Sequence, residues 1–318
     1  MKVKTAILVE PYKIEIQQRE VSLGYGELLV KVQVCGLCNW ELNHFRGILG
    51  NCPQTLGHEW AGIVVETGRG TNGFCIGDIV TVLPERLEGF AEYAAINYKN
   101  CYKVDPDIDI RYALGEPLKC IVTVLSAANI RVGDTGIIMG CGPMGLWCLQ
   151  GMRSRFLKCL AAIDIDDSKL ALAKKFGATH VINPLKEDAV KRISEITSGH
   201  MADFVIEGTG STEVLNNALE LLRPSGRGRL ILMSSHEERS ESFDFRKLIK
   251  VSGELIAAHP GYSLNQAEDE RRAVEMLNSG VFDLSEIVTH QYKLDDIQKA
   301  FNTLNNKPRD YIKGVVVM

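Results

Sequence analysis

Over its first third the chain alternates between apolar and polar residues. Short runs rich in β-branched residues (TAILVE, KIEIQQREV, ELLVKVQVC, WAGIVVETG and GDIVTVL) read as strands, separated by turn residues such as Gly24, Gly26, Gly68, Gly70, Asn72 and Gly73. Many short strands at close spacing in residues 1–115 predict a compact, barrel-like β-domain. Near residue 120 the pattern changes. TGIIMGCGPMG is a buried strand with a Gly-rich turn, LWCLQGMRSRF a helix, and CLAAIDID a second strand. DSKLALAKKFGA reads as a helix with Asp167 or Ser168 as its N-cap and Gly177 as its stop. HVINP, DFVIEGTG, EVLNNALELLR, GRLILMSS and GELIAA continue the strand–helix alternation, which predicts an α/β domain with a doubly wound parallel sheet. From about residue 259, NQAEDERRAVEMLNSG and LDDIQKAFNTLNNK read as amphipathic helices, and KGVVVM as a closing strand. This last segment is short for a free-standing domain and is expected to return to the first. The expected division is therefore 1–118 with 259–318, and 119–258.

A chain of 318 residues exceeds one ordinary core, which agrees with two domains. Apolar residues at 45% and charged residues at 24% describe a globular protein. The net charge of −4 and the lack of a long Lys/Arg run give no electrostatic case for nucleic acid. No apolar run approaches the ~18 residues of a membrane helix, and the N-terminal KVKTAILVEPYK lacks the plan of a signal peptide. The nine cysteines are odd in number and scattered, so free thiols in a reducing cytoplasm are expected.

Gly140-Cys-Gly142-Pro143-Met144-Gly145 fits G-x-G-x-x-G after a strand and before a helix, the context in which that motif binds a dinucleotide. The first glycine permits the turn, the second lets backbone approach a pyrophosphate, and the third allows strand–helix packing. Asp164, 19 residues after Gly145, stands where a carboxylate accepts from both ribose hydroxyls and repels a 2′-phosphate. NAD is therefore expected over NADP.

The second cluster is Cys38, the pair His58-Glu59, and Glu116. Each alone reads as an ordinary core or loop residue. Together they supply the thiolate, imidazole and carboxylate that zinc takes, with a position left open in a catalytic site. Gly36 and Gly57 beside them suit backbone turned tightly around an ion.

The stretches GELLVKVQVCGLC, TLGHEWAGIVVETG, GDIVTVL, GFAEYAAI, EPLKCIVTVLSAANIRVGDTGIIMGCGPMGL and AIDIDDSKLALAKKFGATHVIN make the chain resemble the zinc-dependent medium-chain dehydrogenase/reductase family, which includes alcohol, sorbitol and threonine dehydrogenases. The resemblance covers nearly the whole chain. It implies a GroES-like β-rich catalytic domain, a Rossmann domain, and one catalytic Zn2+ per chain. It gives Cys38 and His58 as metal ligands, Glu59 as a ligand or close neighbour of the metal, and Glu116 as a ligand directly or through water. It also gives Glu41 as the carboxylate orienting the zinc-bound histidine, Lys169 as a contact of the adenosine ribose, and Lys313 as a contact of the pyrophosphate.

The chain departs from the family in three ways. Only LPERLE joins Val82 to GFAEY, so the four-cysteine lobe of many relatives is missing and no structural zinc is expected. Asn39-Trp40-Glu41 replaces the usual G-S-D or G-T-D, removing the hydroxyl that relays the substrate proton. An indole N–H donates but cannot relay, so Trp40 is expected to shape the substrate pocket with Asn43, His44 and Glu92. Asn43 stands where many relatives carry a relay histidine, with His44 beside it, which leaves Glu41, His44, Glu59 or a water chain for the proton.

The implied activity is hydride transfer between NAD and a secondary alcohol of a polyol, cyclitol or sugar. A homodimer or homotetramer is expected, paired through GELIAA, with a small molecule as the other partner. Two other readings compete. One is a zinc-free NAD(P)H enone or quinone reductase of the same fold, which would lack the Cys38, His58-Glu59 and Glu116 set. The other is a non-catalytic NAD-binding protein.

Overall fold

The computed structural model describes residues 1–153, 156–235 and 242–318. The described chain is mixed α/β and falls into two units, Met1–Lys119 with Ala267–Met318, and Cys120–Gln266.

In the first unit the β-branched runs form strands as their alternation predicts. Lys2–Glu10 pairs with Lys13–Glu20 and with Gln54–Thr55. The larger sheet runs Val288–Lys293, Lys313–Val317, Glu27–Gly36, Trp60–Thr67, Ile79–Val82, Cys101–Lys103, and Tyr93–Asn97 also pairs with Glu27–Gly36. The closing strand Lys313–Val317 thus lies antiparallel beside Glu27–Gly36, with Val315 opposite Gly36. The helix Ile297–Asn306 turns Ile297, Ala300, Phe301 and Leu304 inward, where Phe301 meets Phe45 and Phe90. That face follows the i, i+3, i+4, i+7 spacing of an amphipathic helix.

In the second unit six parallel strands run in the order His180–Ile182, Cys159–Ile163, Thr135–Met139, Phe204–Glu207, Arg229–Leu232, Glu254–Ala257. Numbered along the chain this is 3-2-1-4-5-6, the Rossmann order, whose reversal point lies beside the first strand. Thr135–Met139 is accordingly buried throughout.

Three local expectations change. The helix Asp167–Lys175 begins one residue early, because the Asp166 carboxylate, rather than Asp167 or Ser168, accepts the Ser168 N–H. The helix expected over LWCLQGMRSRF ends at Met152, and residues 154–155 of that stretch lie outside the described residues. A helix at Gly115–Ala128 had no separate signal, since its apolar residues run almost without interruption.

The second unit also holds a buried ion pair. Arg229 Nη2 lies 2.7 Å from Asp134 Oδ2, and Nη1 donates to the carbonyls of Ala128, at 2.6 Å, and Asn129. Both charged side chains are about nine-tenths buried. Arg229→Met would leave Asp134 buried without its partner, at a cost of about 3–5 kcal/mol. A clearly lower urea midpoint is expected; an unchanged midpoint would contradict it.

Candidate metal centre and dinucleotide site

The strand Glu27–Gly36 runs on to Cys38, whose extended backbone begins the short helix Asn39–Phe45. The next strand, Trp60–Thr67, pairs with it so that Trp60 faces Cys35. That register brings His58 and Glu59 level with Cys38. The ligand atoms of Cys38, His58 and Glu59 lie within 4.8 Å of one another, and among the described residues they form the one such group of three or more His, Cys, Asp or Glu. Gly36 makes this possible: a Cβ there would stand 2.1 Å from Glu59 Oε2.

Glu41 is fully buried on the helix Asn39–Phe45. Its Oε1 accepts from Gly57 N at 2.5 Å and His58 N at 3.0 Å, and lies 3.1 Å from His58 Nδ1. The ring nitrogen and the carboxylate approach as an ion pair without hydrogen-bond geometry, and a carboxylate beside one ring nitrogen leaves the other to a metal. His58 Nε2 then lies 3.7 Å from Glu116 Oε2. Glu116 opens the helix Gly115–Ala128, whose first N–H is pinned by Thr81 Oγ1 at 2.8 Å. Thr81 pairs with Ala61, so the two segments carrying His58 and Glu116 are held in one register.

Two lysines complete the cluster. Lys119 Nζ donates to Glu116 Oε1 at 2.7 Å and Lys313 Nζ to Glu59 Oε2 at 2.5 Å, and both lysines are buried. Lys119 carried no separate signal beyond its place three residues after Glu116, one helical turn on. Lys313, which the resemblance gives to a pyrophosphate, donates to Glu59 in the structure.

Burial works against the charged form of His58, but Glu41, Cys38 and Glu116 outweigh it and push its pKa well above the ordinary value. Burial, then the Glu59 carboxylate, raises the Cys38 thiol. Burial also raises Glu116, yet His58 and Lys119 bring it below the usual carboxylate range. Burial would lower Lys313, but Glu59 and Cys38 hold it above the ordinary lysine value.

With Cys38 as thiolate and His58 neutral, the forms in which they ligate a metal, four anionic groups (Cys38, Glu41, Glu59 and Glu116) face two ammonium groups. The deficit of two positive charges is that of a divalent cation. The donor set of thiolate, imidazole and carboxylate suits zinc.

Trp40 lies over this cluster, 37% exposed, with its ring 4.4 Å from His44 and 5.2 Å from His58 in edge-on contacts. Asn43 and His44 are buried on the same helix. His44 Nδ1 lies 3.1 Å from Gln54 Oε1, while its buried Nε2 has no partner. Glu92 is occupied elsewhere: its Oε2 accepts the Lys4 N–H at 2.8 Å.

The Gly-rich turn lies in the second unit. Gly140 takes φ +92°, a conformation open to few other residues. A Cβ on Gly142 would meet nothing within 4 Å, whereas one on Gly145 would lie 2.0 Å from the Gly140 carbonyl oxygen. The turn is therefore open at its second glycine and close-packed at its third, as a pyrophosphate cradle requires. The helix Pro143–Met152, which carries Met144, has no side-chain cap and offers its first amides to an anion. Asp164 accepts from Cys141 N at 2.6 Å and Asp166 N at 2.9 Å, so its carboxylate stands against the turn. Lys169 sits at the start of the helix Asp167–Lys175.

Comparison with known proteins agrees with this picture. Residues 24–106 match the alcohol dehydrogenase GroES-like domain family and 143–279 the zinc-binding dehydrogenase family. The chain is 31% identical to L-threonine 3-dehydrogenase of Bacillus velezensis over 318 residues, covering 89% of both chains. It is 31% identical to erythritol/L-threitol dehydrogenase of Mycolicibacterium smegmatis over 323 residues, covering 87% of both. The crystal structure of an Escherichia coli oxidoreductase/dehydrogenase of unknown specificity superposes with a TM-score of 0.88 at 28% identity, covering 100% of this chain and 99% of that one. The chain belongs to the zinc-type medium-chain dehydrogenase family, with a GroES-like domain and a Rossmann domain. Among the described residues no helix is long and apolar enough to cross a membrane.

Two predictions follow from this geometry. Since the Cys38 thiol and the His58 imidazole both hold protons more firmly than usual, cation uptake near neutral pH must displace protons, and affinity must rise with pH. Zinc titration calorimetry in buffers of differing ionisation enthalpy should show net proton release; none would contradict the assignment. Glu41→Ala should weaken zinc affinity about 10- to 100-fold in chelator competition by freeing the imidazole. Unchanged affinity would remove Glu41 from that role.

Proposed function

We propose that this protein is a zinc-dependent, NAD-linked dehydrogenase acting on a secondary alcohol of a polyol, cyclitol or sugar. The observation that carries the reading is the convergence of Cys38, His58 and Glu59, whose ligand atoms lie within 4.8 Å of one another. Those three residues would hold the metal, with Glu116 on the His58 side. When bound, the metal supplies Lewis acidity and the nicotinamide accepts a hydride.

The chain's own groups do the remaining work. Glu41 holds the His58 ring, and Lys313 restrains Glu59. Trp40 offers an indole face against which the C–H face of a polyol packs, and its N–H can donate to a hydroxyl. Of the groups near the ligands, His44 best fits the proton's exit. Its Nε2 is unpartnered and its ring touches Trp40; Glu41 Oε1 is spent on Gly57 and His58, and its unpartnered Oε2 lies on a fully buried side chain.

The Gly140–Gly145 turn and Asp164 support NAD as the dinucleotide. Asp164, Asp166 and Asp167 together disfavour a 2′-phosphate. The polyol and hydroxy-acid names of the two relatives support a small hydroxylated substrate. A homodimer paired through the edge strand Glu254–Ala257 suits the family plan. The zinc-free reductase and the non-catalytic reading are not favoured by the family match.

The test is a panel of polyols, cyclitols and sugars with NAD or NADP and added zinc, read by absorbance of the reduced nicotinamide. Turnover with NAD, lost in Cys38→Ala and His58→Ala, is expected. Turnover that survives both substitutions would refute the metal's role. Equal rates with NADP would refute the cofactor preference.

A further inference from the structure

His44 Nε2 is buried and unpartnered, while the other ring nitrogen is engaged: Nδ1 lies 3.1 Å from Gln54 Oε1. His44 belongs to the helix Asn39–Phe45. Gln54 opens the short strand Gln54–Thr55, where it pairs with Leu8 of the strand Lys2–Glu10. The bond therefore joins two side chains whose backbones are each held by secondary structure.

Its chemistry is one-sided. An amide oxygen only accepts, so Nδ1 carries the proton of this bond. In a neutral imidazole the other nitrogen then holds a lone pair and no proton. Which nitrogen is protonated follows from the bond that the other nitrogen makes. Gln54 thus leaves His44 Nε2 as an acceptor.

Gly50 closes over the pair. It takes φ +70°, and a Cβ there would stand 2.6 Å from His44 Nδ1, 2.7 Å from Gln54 Oε1 and 2.8 Å from Gln54 Nε2. Backbone without a side chain can lie directly on this bond, which leaves no room on that side for water at Nδ1. A hydrogen bond shielded from water is electrostatically stronger than one in solvent. The His44 ring also meets Trp40 edge-on, and Trp40 meets His58. One indole therefore separates His44 from a candidate metal ligand.

We propose that Gln54 is a positioning residue of the dehydrogenase site, which holds His44 in the tautomer with its proton on Nδ1 and its lone pair on Nε2. In the proton step the substrate O–H bond breaks, the electron pair stays on oxygen, and the proton forms an N–H bond at Nε2 before leaving to water. The other tautomer presents an N–H at Nε2 and can only donate there. The inference rests on the reading of His44 as the proton's exit and adds the residue that prepares it.

The test is nitrogen NMR of the whole, metal-free chain labelled at histidine, which reads the proton on each ring nitrogen. Turnover of the zinc-loaded protein is followed beside it, with NAD and whichever alcohol of the panel above the wild type oxidises fastest. Neutral His44 should show a protonated Nδ1 and a bare Nε2. Gln54→Met should lose that preference, and its kcat should fall about 10-fold with KM near wild type, a part of the roughly 10²–10⁴-fold that a positioned base supplies. Gln54→Glu, which keeps an acceptor oxygen at the same reach, should keep the Nδ1 proton and most of the turnover. In a His44→Phe background Gln54→Met should cause no further loss. A wild-type Nε2–H tautomer, a wild-type tautomer or kcat in Gln54→Met, or losses that multiply in the double variant would each overturn the proposal. Unchanged kcat in His44→Phe would instead refute the reading of His44, and a wild type that oxidises none of the panel would refute the dehydrogenase reading; either result takes this inference with it.

Discussion

One electrostatic constraint organises the first unit. A thiol, an imidazole and three carboxylates are packed into a small buried volume with two ammonium groups, and that collection balances either with a proton on each of Cys38 and His58 or, once both protons leave, with a divalent cation. In a low-dielectric interior an uncompensated charge is not left standing; it takes up a proton or a counter-ion. The raised pKa values of His58 and Cys38 show the proton solution. The same field that favours a proton on those atoms favours a metal ion once the protons leave.

The fold enforces this crowding through backbone register rather than through flexible side chains alone. The pairing of Glu27–Gly36 with Trp60–Thr67 levels Cys38 with His58 and Glu59. The pairing of Trp60–Thr67 with Ile79–Val82, and the Thr81 hydroxyl on Gly115 N, level Glu116 with His58. The strand Lys313–Val317 returns from the far end of the chain to set Lys313 on Glu59. A one-residue slip in any of these pairings would turn the corresponding side chains to the other face. The candidate dinucleotide site in the second unit is built by the opposite means: an open turn of backbone amides, with Asp164 as its nearby anion.

Features carried by a contiguous motif in a local frame were legible in the sequence. Gly140, Gly142, Gly145 and Asp164 fall where strand, turn and helix dictate, and the strand–helix alternation yields the observed sheet. The cluster of Cys38, His58 and Glu59 was legible as a resemblance, because its members sit in short motifs beside glycines. What the sequence hid depends on contacts across many residues. Lys313 and Glu59 are 254 positions apart. Glu270 stands in the charged run EDERR, yet it falls at the i, i+3, i+4, i+7 spacing of Ala273, Val274 and Leu277, the buried face of its helix. Glu92 read as a pocket residue because composition does not say which way a side chain points, and in the structure it caps the Lys4 amide. The N-cap moved from Asp167 to Asp166 because successive aspartates offer the same local signal.

Cys38, His58 and Glu59 specify a coordination shell of mixed sulfur, nitrogen and oxygen donors. X-ray absorption at the zinc edge of the zinc-loaded protein reads it directly. The geometry predicts one sulfur scatterer at about 2.3 Å, with nitrogen and oxygen donors at about 2.0–2.2 Å, and loss of the sulfur shell in Cys38→Ser. A sulfur-rich shell, or a shell without sulfur in the wild-type protein, would contradict it.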